Sequence, residues 1–189
     1  LRRQGMSFGE GGAMLVLEDA EHARERGAKA YATVLGYGMT DDAYHMTKPD
    51  PTGAPWERTV LAATHDAGVQ PADIDYINAH GTGTQQNDAA ECAAFRRVLG
   101  ERLAQVPVSS SKGAVGHCLC AAGAVEAAIT ALAVARQIAP PTVGFAVTDP
   151  ACPIDAVPGR GRELPIRYAL SASFAFGGNA AVLVFGRAT

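Results

Sequence analysis

The sequence predicts an α/β fold with a mostly parallel sheet that helices cover on both faces. Short apolar runs typical of strands alternate with segments of helical spacing along the 189 residues. This alternation favours βαβ crossovers, which place helices on both faces of a parallel sheet. The composition agrees, because 48% of the residues are hydrophobic and the 21 glycines allow close packing. The length suits one domain or one half of a larger folded unit.

The first part of the chain predicts two strands and two helices. The apolar run 13–18 is typical of a buried strand, and Asp19 begins a short charged helix that ends near Arg26. Residues 30–37 are the next predicted strand. A loop rich in Gly and Pro leads to a helix over 56–67, which Gly68 ends.

The remaining elements alternate in the same way and end in a hairpin. Their apolar spacing and their Gly and Pro boundaries predict strands at 74–79 and 106–110, helices at 88–99 and 116–138, and a final strand pair at 168–174 and 180–185. Active residues of such folds lie in loops at the carboxyl ends of strands. The loops that begin at His80, Lys112 and Phe174 occupy such positions.

Charge and cysteine content exclude several classes of function. The formal net charge of -3 does not favour nucleic-acid binding. Cys92, Cys118, Cys120 and Cys152 have neither metal-site nor disulfide-framework spacing, which indicates a reducing compartment. We expect no membrane span, because no apolar run is long enough, and no signal peptide opens the sequence. The expected location is therefore the cytoplasm.

A histidine motif, Asn78 to Thr84, follows the strand predicted at 74–79. Gly81 and Gly83 after His80 allow backbone and hydroxyl groups to approach a ligand closely. A lone loop histidine more often completes a turn, but the Gly-Thr-Gly-Thr context favours a binding role.

A second motif, Ser109 to His117, combines Lys112 with a histidine at the predicted start of a long helix. The positive end of a helix dipole disfavours imidazolium and lowers the pKa of His117. A neutral histidine can donate an N–H to a developing oxyanion, and Lys112 adds a fixed positive charge. Taken alone, this motif fits an ordinary helix cap with a solvated lysine equally well.

A third motif, Ser173 to Asn179, places Phe174 and Phe176 before the pair Gly177–Gly178. Two aromatic rings before a flexible turn can gate a pocket. Taken alone, the pattern is better explained by packing of hairpin residues.

Together and in this order, the three motifs resemble the His-Gly-Thr-Gly-Thr, Lys-containing Gly-His and Phe-Gly-Phe-Gly-Gly motifs of β-ketoacyl synthases. Gly9 to Gly12, followed by the run 13–18, is similar to the strand that ends the N-terminal half in this family. The resemblance implies a thiolase-like fold with αβαβα layers, of which this chain supplies mainly the C-terminal half. Residues 1–28 are then the last strand and helix of the N-terminal half, and residues 29–189 are the C-terminal half.

The resemblance also implies a reaction, the decarboxylative Claisen condensation of an acyl thioester with malonyl-acyl carrier protein in fatty-acid or polyketide biosynthesis. It makes His80, His117 and Lys112 catalytic, with Glu126 as a partner of Lys112. The substrate-binding residues are then Thr82 and Thr84 on the pantetheine arm, and Phe176 and Gly177 at the acyl pocket.

In this family the nucleophilic cysteine lies in the N-terminal half, and no such motif is present here. The chain alone is therefore expected to be inactive. The implied partners are an acyl carrier protein and the missing half or a partner subunit, in a homo- or heterodimer, with neither nucleic acid nor membrane. No metal or bound cofactor is implied, since the substrate is carried on the phosphopantetheine of the carrier protein.

Two alternatives stay open at this point. Some assembly lines contain a non-catalytic subunit, the chain length factor, that lacks the cysteine, although such subunits usually lose part of the set formed by His80, Lys112 and His117. A thiolase shares the fold but normally carries a Cys-x-Gly base near its C-terminus, and the last cysteine here is Cys152, which is followed by proline.

Overall fold

The main sheet has five strands, of which four run in one direction. The structure is a computed structural model that describes residues 3–188. The strand order is β1-β7-β6-β2-β3; β7 is antiparallel to both of its neighbours, whereas β6, β2 and β3 are mutually parallel. The predicted mostly parallel sheet is therefore confirmed. Its strands are β1 (Thr33–Asp41), β2 (Tyr76–Asn78), β3 (Val108–Ser109), β6 (Tyr168–Phe174) and β7 (Asn179–Gly186), and a separate pair is formed by β4 (Ile138–Ala139) and β5 (Arg162–Glu163).

Helices cover both faces of this sheet. The α-helices are α1 (Ala20–Glu25), α2 (Ala54–Asp66), α3 (Gln85–Leu99), α4 (Lys112–Val115) and α5 (Ala122–Arg136). One buried cluster joins α2 and α3 to the face that carries Ile77, and a second joins α5 to the face that carries Tyr76. Adjacent residues of β2 thus point into opposite cores, as the period of a strand requires.

Local signals predicted several elements well. The Asp19 carboxylate accepts hydrogen bonds from the backbone of Glu21 and His22, which caps α1 as expected. The hairpin is confirmed, because β6 and β7 pair antiparallel across the Gly177–Gly178 turn. The strand predicted at 30–37 is displaced along the chain, since β1 begins at Thr33 and continues to Asp41.

The strand predicted at 13–18 was wrong for this chain. These residues have no strand assignment, and Met14 and Val16 are 99% and 94% exposed. An isolated strand leaves its backbone groups without partners, so it forms only beside another strand. Among the described residues, no strand pairs with this segment.

The long helix predicted at 116–138 was also wrong in its first turns. Gly116 and Leu119 have φ values of +74° and +51°, a left-handed conformation that interrupts a right-handed helix. The short helix α4 ends at Val115, a 3-10 turn covers Leu119–Ala121, and α5 begins only at Ala122. His117 therefore lies in the break and not at the mouth of the long helix.

The segment Leu119–Arg136 is long and apolar enough to cross a membrane by length and composition, contrary to the expectation from the sequence. A single such segment is weak support for a span, because buried helices of globular folds have the same composition. Within this fold its Glu126 pairs with Lys112, and its Ala127 and Val134 pack in the second core.

Candidate active site

The histidine and lysine motifs meet at one edge of the sheet. The parallel strands β2 and β3 end side by side, so the loops that carry His80 and Lys112 leave from neighbouring positions. The ring of His117 lies 5.4 Å from that of His80, at an angle of 82°. The structure thus brings together residues of two motifs that are well separated in the sequence.

His80 is buried, with 6% of its surface exposed, and its ring has defined neighbours. Its Nδ1 lies 3.4 Å from the Lys112 ammonium, and its ring contacts Phe174 edge-on at 5.9 Å. Phe174 is in turn stacked on Trp56 at 4.0 Å. Burial, followed by the charge of Lys112 and the ring of His117, lowers the pKa of His80 well below its ordinary value.

Glu91 on α3 holds the backbone of this loop, a role that the sequence reasoning missed. Its carboxylate accepts hydrogen bonds from the His80 N–H at 2.7 Å, the Gly81 N–H at 2.8 Å and the Asn87 side chain at 3.2 Å. Burial outweighs these bonds and raises the pKa of Glu91 to about 7. The available signal was an acidic residue within a small apolar run, Ala89 to Ala94, where a charge needs partners.

Lys112 and Glu126 form a buried ion pair between α4 and α5. Both side chains are almost inaccessible, and burial raises the pKa of Glu126 despite the adjacent ammonium. A buried charge is tolerated only when it is paired, so each residue fixes the position of the other. Within residues 3–188, no group of three or more His, Cys, Asp or Glu side chains is arranged to hold a metal ion.

His117 is half-buried and held mainly through its backbone. Its N–H donates to the Ser7 carbonyl at 2.8 Å, and its carbonyl accepts from the Gly9 N–H at 3.1 Å. Its Nδ1 accepts from the Leu119 N–H at 3.0 Å, which leaves the proton of a neutral ring on Nε2. Burial, followed by the charge of Lys112, lowers the pKa of His117. The predicted direction was correct, but the predicted cause was wrong, because no helix begins at this residue.

Two glycines allow this backbone contact. A Cβ on Gly9 would lie 2.1 Å from the Val115 carbonyl oxygen, and one on Gly116 would lie 2.7 Å from the Gly9 Cα. Real Cβ atoms do not approach backbone this closely, so side chains at these positions would separate the two segments. The Gly-rich motif at 9–12 therefore has a structural use that its sequence did not reveal.

The predicted substrate-binding residues lie around His80, Lys112 and His117, and their contacts and exposure differ. The Thr82 and Thr84 hydroxyls are 2.9 Å apart, and Thr84 also accepts from the Asn87 N–H as the cap of α3. Phe176 is 67% exposed, and the Gly177 N–H donates to the Met46 carbonyl at 2.8 Å. The aromatic ring beside His80 belongs to Phe174, whereas the predicted gate was Phe176.

Comparison with known proteins assigns the family. Residues 31–146 match the family described as "Beta-ketoacyl synthase, C-terminal domain". The chain is 45% identical over 183 residues to a 3-oxoacyl-[acyl-carrier-protein] synthase 2 from Staphylococcus aureus, and 43% identical over 185 residues to the protein of the same name from Coxiella burnetii. These alignments cover 97% and 98% of the chain but only 44% and 45% of the relatives, so the chain spans less than half of their length.

Solved structures of ketosynthases have the same fold. The structure described as "The ishigamide ketosynthase/chain length factor" superposes with a TM-score of 0.93 and 44% identity, over 98% of this chain and 45% of that chain. A β-ketoacyl synthase from Burkholderia phymatum STM815 gives 0.84 and 41% identity, over 91% of this chain and 41% of that chain. A third, described as a type II polyketide ketosynthase with its acyl-carrier protein, gives 0.89 and 36% identity, over 98% of this chain and 48% of that chain.

These matches bear out the thiolase-like fold and do not favour the thiolase alternative, because the matching family is that of the β-ketoacyl synthases. The motifs around His80, Lys112 and Phe176 had already indicated the same family from the sequence. The chain belongs to the β-ketoacyl synthase family and corresponds to its C-terminal domain.

Proposed function

We propose that the protein containing this chain condenses an acyl thioester with malonyl-acyl carrier protein, releasing CO₂, in fatty-acid or polyketide biosynthesis. The observation that carries this proposal is the convergence of His80 and His117, 5.4 Å apart, beside the buried pair of Lys112 and Glu126. The names of the relatives support it, since they are 3-oxoacyl-[acyl-carrier-protein] synthases.

The chemistry needs hydrogen-bond donors where negative charge develops. Loss of CO₂ from a malonyl thioester leaves an enolate, whose charge concentrates on the thioester oxygen. His117 uses Nδ1 as an acceptor, and His80 directs Nδ1 at the Lys112 ammonium, so each neutral ring keeps its proton on Nε2. Two Nε2–H groups aimed at one oxygen would stabilise the enolate more than the neutral malonyl ester.

The electrostatics keep both rings in the form that this role requires. Burial and the charge of Lys112 lower the pKa of His80 and of His117, so both are neutral near pH 7. A neutral ring presents a fixed donor without releasing a proton to the enolate. Lys112, paired with Glu126, thus acts on the reaction through the histidines.

The remaining roles follow from the family. Thr82 and Thr84 would bind the pantetheine arm of the carrier protein, and Phe176 with Gly177 would border the acyl pocket. The nucleophilic cysteine would come from the N-terminal half. Residues 1–28 would be the last part of that half, and residues 29–189 would form the C-terminal half. No resident cofactor takes part in this scheme, because the substrate carries its own phosphopantetheine.

The assembly is also a proposal. The exposed run 13–18 and the apolar side of α5 that faces away from the sheet would be covered by the N-terminal half, whether on the same polypeptide or on a partner subunit. A homo- or heterodimer in the cytoplasm, served by an acyl carrier protein, fits the relatives whose descriptions mention a carrier protein or a chain length factor.

The experiment that tests this function replaces one donor in the complete synthase. We expect His117→Ala to abolish malonyl decarboxylation, because one of the two enolate donors is lost, while acyl loading on the cysteine continues. Removing one oxyanion donor costs about 10²–10³-fold in rate in other enzymes. Release of CO₂ from labelled malonyl-acyl carrier protein and mass analysis of the acyl-enzyme measure the two steps separately.

The matched control is His65→Ala, since His65 is an exposed histidine on α2 outside the site. This variant is expected to keep both steps. Decarboxylation at the wild-type rate in His117→Ala would refute the role given to His117, and equal loss of loading and decarboxylation would point to misfolding.

The chain-length-factor alternative predicts a different result in the purified native material. Intact-mass analysis after incubation with an acyl-carrier-protein thioester shows which polypeptide becomes acylated. If a polypeptide that contains or accompanies this chain gains the acyl mass and decarboxylation depends on His117, the chain serves a catalytic cysteine. If acylation occurs but decarboxylation is independent of His117, the chain is a non-catalytic partner.

A further inference from the structure

Two cysteines without a role in the proposed condensation lie together beneath the site. Cys92 is in the middle of α3, and Cys152 is in a turn between β4 and β5. Both are free and buried, 3% and 5% exposed, and the Cys152 sulfur lies 3.8 Å from the carbonyl of Asp88, one helical turn before Cys92. They are far apart in sequence, so only the fold makes them neighbours.

The segment that carries Cys152 is fixed against the start of α3. Arg3 bridges the two elements, with Nε 2.7 Å from the Asp88 carboxylate and a terminal nitrogen 2.5 Å from that of Asp149. The Cys152 N–H donates to the Asp149 carbonyl at 2.8 Å, and its sulfur lies 3.8 Å from the Asp88 carbonyl. Ionic and backbone contacts therefore hold Cys152 against the turn of α3 that leads to Cys92.

The environment makes the two thiols unequal. The neighbouring Cys152 thiol lowers the pKa of Cys92, and the charges of Arg96 and Arg3 add to this effect. The neighbouring Cys92 thiol, together with burial, raises the pKa of Cys152. Cys92 is thus the first of the pair to ionise, and thiolates are the nucleophiles in disulfide exchange.

A cavity gives access to the pair. It has a volume of about 730 Å³, and both cysteines line it together with Thr82, Gly83 and Lys112. A small reagent that enters this cavity reaches the two thiols in a space that Thr82, a proposed pantetheine-binding residue, also lines. A disulfide here would lie next to Glu91, which precedes Cys92 and holds the backbone of His80.

We propose that Cys92 and Cys152 form a redox-active dithiol site that reacts with small-molecule disulfides of the glutathione class. The Cys92 thiolate attacks one sulfur of the disulfide, which forms a mixed disulfide on Cys92 and expels the other half of the reagent as a thiolate. This thiolate takes up a proton. Cys152 then loses its proton, attacks the Cys92 sulfur and expels the second thiol. Two protein thiols are oxidised to one disulfide, and the reagent is reduced to two thiols.

The test is a map of disulfides in the purified native protein after exposure to oxidised glutathione. Remaining thiols are blocked with N-ethylmaleimide, and the protein is digested with trypsin without reductant. Trypsin places Cys92 in peptide 59–96, Cys152 in peptide 137–160, and Cys118 with Cys120 in peptide 113–136. We expect 59–96 to be linked to 137–160, with a mass lower by two hydrogen atoms.

Single variants test the order of attack. Cys152→Ser removes the resolving thiol, so peptide 59–96 should accumulate as a stable glutathione adduct. Cys92→Ser removes the attacking thiol, so peptide 137–160 should stay largely unmodified. The reverse pattern would overturn the assignment of the two thiols.

Cys118 and Cys120 provide an internal comparison, because both are more exposed than the proposed pair. Exposure alone predicts that peptide 113–136 reacts first and that Cys92 and Cys152 stay reduced; this result would overturn the proposal. Formation of the 92–152 link to the same extent in denaturant would also overturn it, since the site depends on the fold. The test does not depend on synthase activity, so its failure leaves the proposed condensation unaffected.

Discussion

The two histidines of the site are held in place by different parts of the molecule. His80 is buried, and Glu91 on the adjacent helix binds two backbone N–H groups of its loop. His117 is half-buried, and its backbone pairs with Ser7 and Gly9 in the N-terminal segment. The first arrangement uses a side chain of the domain core, whereas the second uses a segment that leads directly into the exposed run 13–18.

This difference shows that the His80 backbone is held by Glu91, whereas the His117 backbone depends on the N-terminal segment that contains Ser7 and Gly9. A conformational change confined to Ser7 and Gly9 would act directly on the His117 backbone, whereas Glu91 would still hold the His80 backbone. Lys112 is common to both, because it lies 3.4 Å from His80 and lowers the pKa of both rings.

The largest expected effect comes from breaking the Lys112–Glu126 ion pair, because Lys112 is common to both regions. Glu126→Ala leaves the Lys112 ammonium buried without its partner, so the free energy of unfolding should fall by about 3–5 kcal/mol. Urea unfolding of the purified protein measures this loss. Arg162→Ala is the control, because it removes one member of the more exposed Arg162–Asp155 pair and should cost no more than about 1 kcal/mol. Equal effects of the two variants would contradict the structural importance of the buried pair.

A second variant perturbs only the His80 region. Glu91→Gln replaces one acceptor oxygen by an NH₂ group, so either the His80 or the Gly81 N–H loses its partner. A buried group left without a partner costs about 1–3 kcal/mol. Glu101→Gln, at an exposed site, should change the free energy of unfolding little.

The difference in the free energy of unfolding between the wild type and Glu91→Gln should change with pH in a defined direction. Burial raises the pKa of Glu91 to about 7 from an ordinary value of 4.5, so the folded state binds the extra proton between these limits. The stabilisation from this proton is complete below the ordinary value and is lost as the pH rises through about 7. The free energy of unfolding of the wild type relative to Glu91→Gln should therefore fall across this range. A constant difference would show that Glu91 has the same pKa in both states.

The smallest expected effect is confined to the His117 region. Gly9→Ala brings a Cβ within 2.1 Å of the Val115 carbonyl, which should release the N-terminal segment from His117. The loss should be about 1–2 kcal/mol, the contribution of the two backbone hydrogen bonds at risk. Amide hydrogen exchange should become faster at Gly9 and His117 while the His80 amide keeps its protection.

Gly12→Ala is the matched control for this variant, because nothing lies within 4 Å of its Cβ and its φ is not positive. It should leave exchange at His117 unchanged. Faster exchange at His80 in Gly9→Ala would contradict the independence of the two regions.

Local signals were sufficient to predict much of the fold. The Asp19 cap, the glycine after α2 and the alternating pattern of the final hairpin act within a few residues, so their structures follow from neighbouring sequence. The order and spacing of the motifs around His80, Lys112 and Phe176 identified the family, because each motif is continuous in the chain.

Several features of the site depended on contacts between distant residues. Glu91 holds His80 only because α3 packs beside the end of β2, and the helix predicted from Gly116 is interrupted because Ser7 and Gly9 bind the backbone of His117. The pairing of Cys92 with Cys152 has the same origin.

The sequence by itself determined the α/β class, the approximate positions of most elements and the motif residues, because caps, glycines and hydrophobic periodicity act locally. The tertiary structure decided that the apolar run 13–18 forms no strand within the described chain, since a strand requires hydrogen-bond partners from elsewhere. It also decided the cause of the lowered pKa of His117, which is burial and the charge of Lys112 and not a helix terminus. Both outcomes depend on which distant groups surround a residue, and that information is absent from its local sequence.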